Sequence, residues 1–513
     1  MALTPEQNEA IEKNGSNIIV SAGAGSGKTA VLSERVINKI ESGIHVNELL
    51  ILTFTKAAAS EMKDRIRDKI SKRKEFRDEL NLLSSAYITT FDSFALSVVK
   101  KYHYLLGLSS NISICDESLV VLEEKRIMDE IFDEMYSSKD KMFEDFISYY
   151  CVKSDKYLRS MVLKIAKTVN NKINKYEYLD FIKNEFFSDT YIDLIIEEYE
   201  KFINGKRALL KLELNNLSYY FNSETIVKFN ESLNGILNCE VNDLHLYSGT
   251  TLPRIGKYPS DEAKIAKENL SNALKKVTEF CDYGTLDDIR KSIIVNKDIV
   301  IVITRIIDKF INKLKEYKLK NNIFTFSDIV EYSIKILKDN DEARNDYKYF
   351  FKEIMIDEYQ DTNDVQDTFI SLIENNNVYM VGDIKQSIYK FRGSNPDIFK
   401  DKYDNYSNNN GGIKIDLIKN FRSRNEVLKS INNIFELLMD NEIGGASYKL
   451  SHRMVYGKKE YDTEKLENFN YDIDILEYDN DKDSGYSNAE IEIFTIANDI
   501  KNKVKNDISI YVY

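Results

Sequence analysis

Cysteine, histidine and proline occur only four times each in the 513 residues, and tryptophan does not occur at all. Cys115, Cys151, Cys239 and Cys281 stand at least 36 residues apart with no Cys-x-x-Cys pair. That excludes a zinc knuckle or a disulfide framework and fits a reducing, cytoplasmic compartment. His45, His103, His245 and His452 show no ligand spacing and read as ordinary surface or core residues. No run of 18 apolar residues occurs, and the N-terminus is polar with no basic stretch leading into an apolar one. Neither a membrane span nor a secretion signal is expected. An excess of positive charge is also missing: 71 Lys plus Arg face 84 Asp plus Glu, a formal charge of -13. A globally basic nucleic-acid coat is excluded, whereas a local basic groove is not. At 43% hydrophobic and 30% charged residues, the composition is that of a packed globular protein rather than a disordered one. The length suggests about three or four structural units.

Four short apolar runs without alternation, Asn17–Ser21, Glu48–Thr55, Glu353–Asp357 and Val378–Asp383, suit parallel strands buried on both faces. Between the first two, Val31, Leu32, Val36, Ile37 and Ile40 have helical spacing, so the chain opens as βαβ. From about 111 to 322 long charged segments carry apolar residues near every fourth position, as at Ile127, Met128, Ile131, Phe132 and Met135. This stretch reads as a helical insertion dividing an α/β domain into 1–110 and 323–412. A linker is expected at Tyr403–Gly412, where Asn, Ser and Gly cluster, and a further domain over 413–513. Its expected elements are a strand at Ile413–Ile418, helices near Ser423–Met439 and Ala489–Val504, and strands near Tyr471–Leu476 and Ile508–Tyr513.

The chemistry lies at strand ends. Ser21-Ala22-Gly23-Ala24-Gly25-Ser26-Gly27-Lys28-Thr29 joins the first strand to the first helix. Its glycines let backbone N–H groups turn inward around an anion, and the helix N-terminus adds partial positive charge. In this P-loop pattern Lys28 reaches the β- and γ-phosphates and the Thr29 hydroxyl holds Mg²⁺, although Ala22 stands where the strict pattern has Gly. Asp357 ends the apolar run at 353–357 and suits the second Mg²⁺ ligand; Glu358 beside it suits the base that activates water. Together these residues support hydrolysis of a nucleoside triphosphate.

The segments in order resemble superfamily 1 DNA helicases of the UvrD/Rep type. Thr4-Pro5-Glu6-Gln7 resembles the Q motif and Ala22–Thr29 motif I. Leu52-Thr53-Phe54-Thr55 resembles motif Ia, and Thr89–Phe94 the next DNA-contacting motif, with Asp92 where His is common. Asp357–Asp361 is similar to motif II, Val381–Arg392 to motif III and Asn420–Ser423 to motif IV. Gly382–Tyr389 and Phe324–Ile329 point within that family toward the AddA helicase/nuclease subunits of bacterial AddAB complexes and the related RecB.

The resemblance implies a RecA-like P-loop NTPase domain with a large helical insertion, followed by part of a second RecA-like domain. It implies ATP and Mg²⁺ as cofactors and DNA, single-stranded or duplex with ends, as partner, with 3′ to 5′ polarity and an AddB-like subunit. By position, Gln7 reads adenine, Gln386 senses the γ-phosphate, Arg422 contacts it and Phe421 packs on adenine. Phe54, Thr55, Thr90, Tyr389, Phe391 and Arg392 fall at DNA-contacting positions, although aromatics beside strand ends are also common core residues. The eight basic residues among 61–77, against four acidic ones, fit either a phosphate-binding groove or a solvated helix face. No match to motifs V and VI or to a nuclease signature follows Arg424. The chain is thus expected to be a motor portion ending within its second domain, with a nonmotor ATP-dependent DNA-binding module or an inactive remnant as alternatives.

Overall fold

The computed structural model describes residues 3–115, 117–151, 153–172, 174–440, 444–458, 460, 475–478 and 485–505. The chain divides into two compact units, one of residues 1–107 with 329–513 and the other of 108–328.

The first unit is built on six parallel strands: β1 (Ile18–Ala22), β2 (Leu49–Thr53), β3 (Tyr87–Thr90), β4 (Glu353–Ile356), β5 (Val378–Gly382) and β6 (Ile413–Leu417), in the order β3-β2-β4-β5-β1-β6. Every residue of β1, β2, β4 and β5 is buried. Both sheet faces are therefore covered, which is why these strands read as unbroken apolar runs. One face packs on α1 (Pro5–Glu12), α2 (Lys28–Glu41) and α3 (Lys56–Ser71): Val31, Leu32, Val36, Met62 and Ile66 share a core with Val20, Ile51 and Val381.

A buried ion pair ties these helices to the sheet. Arg35, fully buried, donates from Nε and Nη2 to the two Glu353 oxygens at 2.8 and 2.6 Å and from Nη1 to the carbonyls of Ala10 and Ile11 at 2.9 and 3.1 Å. Its guanidinium lies 4.1 Å from the Tyr379 ring centroid, and Lys39 Nζ adds a 2.9 Å contact to Glu353.

The run Ile413–Ile418 does not open a further domain. Its strand, β6, pairs in register with β1 from Ile18↔Ile413 to Ala22↔Leu417 and forms the sheet edge. The first half of the expected linker is the end of a helix, Pro396–Ser407, anchored by buried Phe399, Tyr403 and Tyr406, and the second half is a turn. An Asn/Gly turn followed by an apolar run has the same pattern whether the strand starts a new core or returns to the old one. Helices at Asn425–Leu438 and Asn488–Lys505 lie close to their expected places. Residues 471–474 and 508–513, where two further strands were expected, lie outside the described residues.

Among the described residues, the regular elements of the second unit are helices and a two-residue ladder between 113–114 and 323–324. Helices Glu117–Ser137, Lys156–Asn170 and Lys297–Asn321 enclose a core that includes Ile127, Met128, Ile131, Phe132 and Met135. Helices Asp189–Leu217 and Asp261–Thr278 contribute to another core, with Leu210, Leu214, Leu270 and Leu274.

Candidate active site

The loop after β1 is shaped by its backbone. Ala22 is the last strand residue, buried opposite Leu417, so its methyl group occupies a strand position and leaves the turn itself free. Gly23 N–H donates to the Leu417 carbonyl at 3.3 Å and Ser26 N–H to the Gly23 carbonyl at 3.1 Å. Gly27, at φ +87°, precedes α2, whose first two residues are Lys28 and Thr29. The Ser26 hydroxyl is buried with no hydrogen-bond partner among the described residues. Gln7 reaches this loop from α1: its Oε1 accepts from Thr4 N–H at 2.9 Å, while its Nε2 donates to the Ser26 carbonyl at 3.0 Å.

Glu358 faces the loop from the end of β4. Lys28 Nζ lies 2.9 Å from Glu358 Oε2, joining the proposed phosphate-binding cation to the proposed base. Glu358 adopts φ +52°, a left-handed conformation that costs a residue with a side chain roughly 1–3 kcal/mol and recurs at functional sites. Its N–H donates to Asp357 Oδ1 at 3.1 Å. Burial, reinforced by the Glu358 charge and opposed by Lys28, pushes the Asp357 carboxyl up to about 6. Asp361 rises to about 6 as well, from burial first and Glu358 second. Asp357, at the end of β4, and Thr29, in the first turn of α2, are oxygen donors of the kind that Mg²⁺ takes.

Gln360 links this acidic segment to the end of β5. Its Nε2 donates to Glu358 Oε2 at 2.8 Å, and its Oε1 accepts from Asp383 N–H at 2.9 Å. Gly382 makes room for it, because a Cβ there would lie 2.5 Å from Gln360 Oε1. Asp383, almost fully buried, then accepts from Lys385 Nζ at 2.6 Å and from Gln386 Nε2 at 2.8 Å. Gln386 is thereby turned onto Asp383. Lys385 Nζ also lies 3.5 Å from Nδ1 of His452, which burial, followed by the Lys385 charge, lowers to about 4. His452 is thus a core histidine.

The segment after β6 closes over the loop. Asn420 Nδ2 donates to the Ala24 carbonyl at 2.7 Å, and Phe421 N–H donates to the Gly25 carbonyl at 2.8 Å. Arg422 follows directly; a Cβ at Gly25, itself at φ +70°, would lie 2.7 Å from Arg422 Cβ. The Phe421 ring lies against Gly457.

At the carboxyl ends of β2 and β5, Phe54 stacks on Tyr389 with centroids 5.5 Å apart and planes at 21°, and Phe391 continues the group 6.1 Å from Tyr389. Phe54 is 41% and Phe391 78% exposed, so neither is a core residue. The hydroxyls of Thr55 and Thr90 accept from the N–H groups of Ala58 and Ser93 at 3.1 and 3.3 Å, capping helices α3 and α4 (Phe91–Tyr102). Arg392 closes the turn Lys390–Arg392, and its side chain lies outside the described part. A cavity of about 130 Å³ beside Asp357 is lined in part by Thr53, Phe54, Thr90, Asp92 and Gln366. Burial raises the Asp92 carboxyl above its ordinary range. In the basic run, Arg65, Arg67, Lys69 and Arg73 pair with Glu61, Asp64, Glu34 and Glu41, which makes much of it an ion-paired helix face.

Gln360, Asp383 and Asn420 carry the links between segments, and no spacing or periodicity singles them out. Their signal is chemical: uncharged amides and a carboxylate next to apolar strand ends, where a buried polar group needs a partner.

Comparison with known proteins shows the family. Residues 3–407 match the UvrD/REP helicase N-terminal domain. An ATP-dependent helicase/nuclease subunit from Clostridium botulinum strain Alaska E43 is 34% identical, over 87% of this chain and 40% of that protein. One of the same description from Thermoanaerobacter sp. strain X514 is 35% identical, over 88% and 41%. Another from Ligilactobacillus salivarius is 32% identical, over 99% and 45%. The chain thus spans less than half the length of these curated relatives. With its N-terminal 3–407 matched and these strand-end segments in place, the chain belongs to the UvrD/REP helicase family.

Proposed function

We propose that this chain is the ATP-binding motor portion of an AddA-like DNA helicase, coupling MgATP hydrolysis to movement along single-stranded DNA and to unwinding of duplex ends. The observation that carries the reading is the 2.9 Å pair between Lys28 and Glu358, which brings the phosphate-loop cation to the acidic segment 330 residues later in sequence. Arriving phosphates compete for Lys28, and Glu358 is then released to orient and deprotonate water. Mg²⁺ held by Thr29 and Asp357 would neutralise phosphate charge. Gln386 leaves Asp383 to meet the γ-phosphate, and Arg422 stabilises charge developing there. Gln7 holds the Ser26 carbonyl and turns its remaining polar capacity to adenine, against which Phe421 packs.

Phe54, Tyr389 and Phe391 form the platform for bases, with Thr55, Thr90 and Arg392 beside the backbone. Because Tyr389 and Gln386 share one segment, movement of Gln386 onto the γ-phosphate shifts the platform, and this is the route from hydrolysis to stepping. A 3′ to 5′ direction, an AddB-like partner, action at double-strand breaks and a cytoplasmic location accompany this reading; the description of the relatives as subunits supports the partner.

DNA-stimulated ATP hydrolysis by the chain and by Lys28→Ala tests it. Stimulation by single-stranded DNA that disappears in Lys28→Ala supports the reading, and stimulation that survives the substitution refutes the site.

A further inference from the structure

We propose that Asn420 is a positioning residue that sets the spacing between the phosphate loop and Arg422, and so governs how strongly the site prefers a nucleoside triphosphate to a diphosphate. The inference rests on the nucleotide-site reading above.

Asn420 is 2% exposed and uses both ends of its amide. Nδ2 donates to the Ala24 carbonyl at 2.7 Å, while Oδ1 accepts from Arg422 N–H and Ser423 N–H, each at 2.8 Å. The orientation follows from the partners: a carbonyl on one side requires the NH₂ group, and two N–H donors on the other require the oxygen. Its own carbonyl accepts from Gly457 N–H at 2.9 Å, fixing the residue from behind. One side chain therefore bridges the crest of the phosphate loop and the backbone of the arginine segment, with Asn420 itself 396 residues from Ala24 in sequence.

The neighbouring contacts leave little slack. Phe421 N–H bonds the Gly25 carbonyl at 2.8 Å, and a Cβ on Gly25 would stand 2.9 Å from Asn420 Nδ2 as well as 2.7 Å from Arg422 Cβ. Close-packed segments of this kind transmit displacement rather than absorb it. Loss of the Asn420–Ala24 bond lets the arginine backbone separate from the loop. A diphosphate, which lacks the group Arg422 meets, is affected only through the loop; a triphosphate also loses the arginine.

Asn420→Asp isolates this effect. It preserves shape and the acceptor for Arg422 and Ser423, but puts a carboxylate oxygen where an N–H met the Ala24 carbonyl. The test measures binding of mant-labelled ATP and ADP with Mg²⁺ by the full chain, by Asn420→Asp, by Arg422→Ala and by the double variant. Asn420→Asp should lower the ratio of ATP to ADP affinity about tenfold, the scale of coupling between contacting residues. The double variant should fall no further than Arg422→Ala alone. A purely structural role would weaken both nucleotides alike and leave the ratio unchanged, which overturns the proposal, as do effects of the two substitutions that multiply. Asn420→Ser, which removes the donor without adding a charge, is measured alongside and must show the same lowered ratio; a ratio lowered by Asn420→Asp alone is charge repulsion of the triphosphate and overturns the proposal, and Asn420→Ser stands alone if Asn420→Asp lacks a cooperative melting transition. Lys28→Ala is the control: if it binds mant-ATP as the parent does, or the parent binds none, the nucleotide-site reading falls and this inference with it. If the control behaves and the ratio is unmoved, only the role of Asn420 is refuted.

Discussion

Asp357→Asn should stabilise the nucleotide-free protein and, with Asp357 as the proposed Mg²⁺ ligand, weaken MgATP binding. The Asp357 carboxyl is raised from 3.8 to about 6 because burial and the Glu358 charge disfavour its ionised form more than Lys28 favours it. A raised folded value means that the folded state holds the proton more tightly than the unfolded state. The stabilising effect of that proton is full below the unfolded value of 3.8 and is lost as pH rises through about 6. At pH 8 the ionised carboxylate therefore costs the fold up to about 3 kcal/mol, and less where water reaches this half-buried group. An amide of the same shape avoids that cost. Its advantage should be absent near pH 4, grow up to about pH 6 and stay level above, with a ceiling of about 6–12 °C in melting temperature at roughly 2–4 °C per kcal/mol. Thermal unfolding of parent and variant between pH 4 and 8, without nucleotide or divalent cation, reads this directly. A variant no more stable than the parent at pH 8, or a gain independent of pH, refutes the electrostatic account of this position. Adding MgATP should reverse the order, because only the parent has the carboxylate that the cation needs.

Arg35→Met leaves Glu353 buried beside Lys39 alone and should destabilise the first unit by about 3–5 kcal/mol in urea-induced unfolding; a loss below about 1 kcal/mol would show that the pair contributes little. Phe54→Ala and Tyr389→Ala should each weaken binding of a fluorescent single-stranded oligonucleotide by about 1–3 kcal/mol, roughly 5- to 150-fold. Because the two rings stack on each other, the double variant should lose less than the product of the single effects; unchanged anisotropy titrations would remove the aromatic platform.

The buried parallel strands were legible because burial on both faces leaves an uninterrupted apolar run, and the run's last residue marks where a ligand can sit. The insertion's first helix was legible for the related reason that Ile127, Ile131 and Met135 repeat at the helical interval and are all buried. β6 was legible as a strand, but its place in the sheet was not: its partner, β1, lies almost 400 residues earlier, and local pattern carries no information about which sheet a strand joins. The linking role of residues within the recognised segments was illegible for a similar reason. Gln360 and Asn420 are single amides whose partners, Asp383 and Ala24, come from other segments. Thr55 and Thr90, read from the sequence as DNA-contacting positions, also cap helices α3 and α4 with their hydroxyls.

Segments scattered from Gln7 to Arg422 are proposed to form one MgATP site. Calorimetric titration of MgATP into the parent chain and into Lys28→Ala tests it most directly. A single binding event in the parent that is lost or weakened at least tenfold by Lys28→Ala is the predicted result. Equal binding by the two proteins, or binding by neither, would contradict the account.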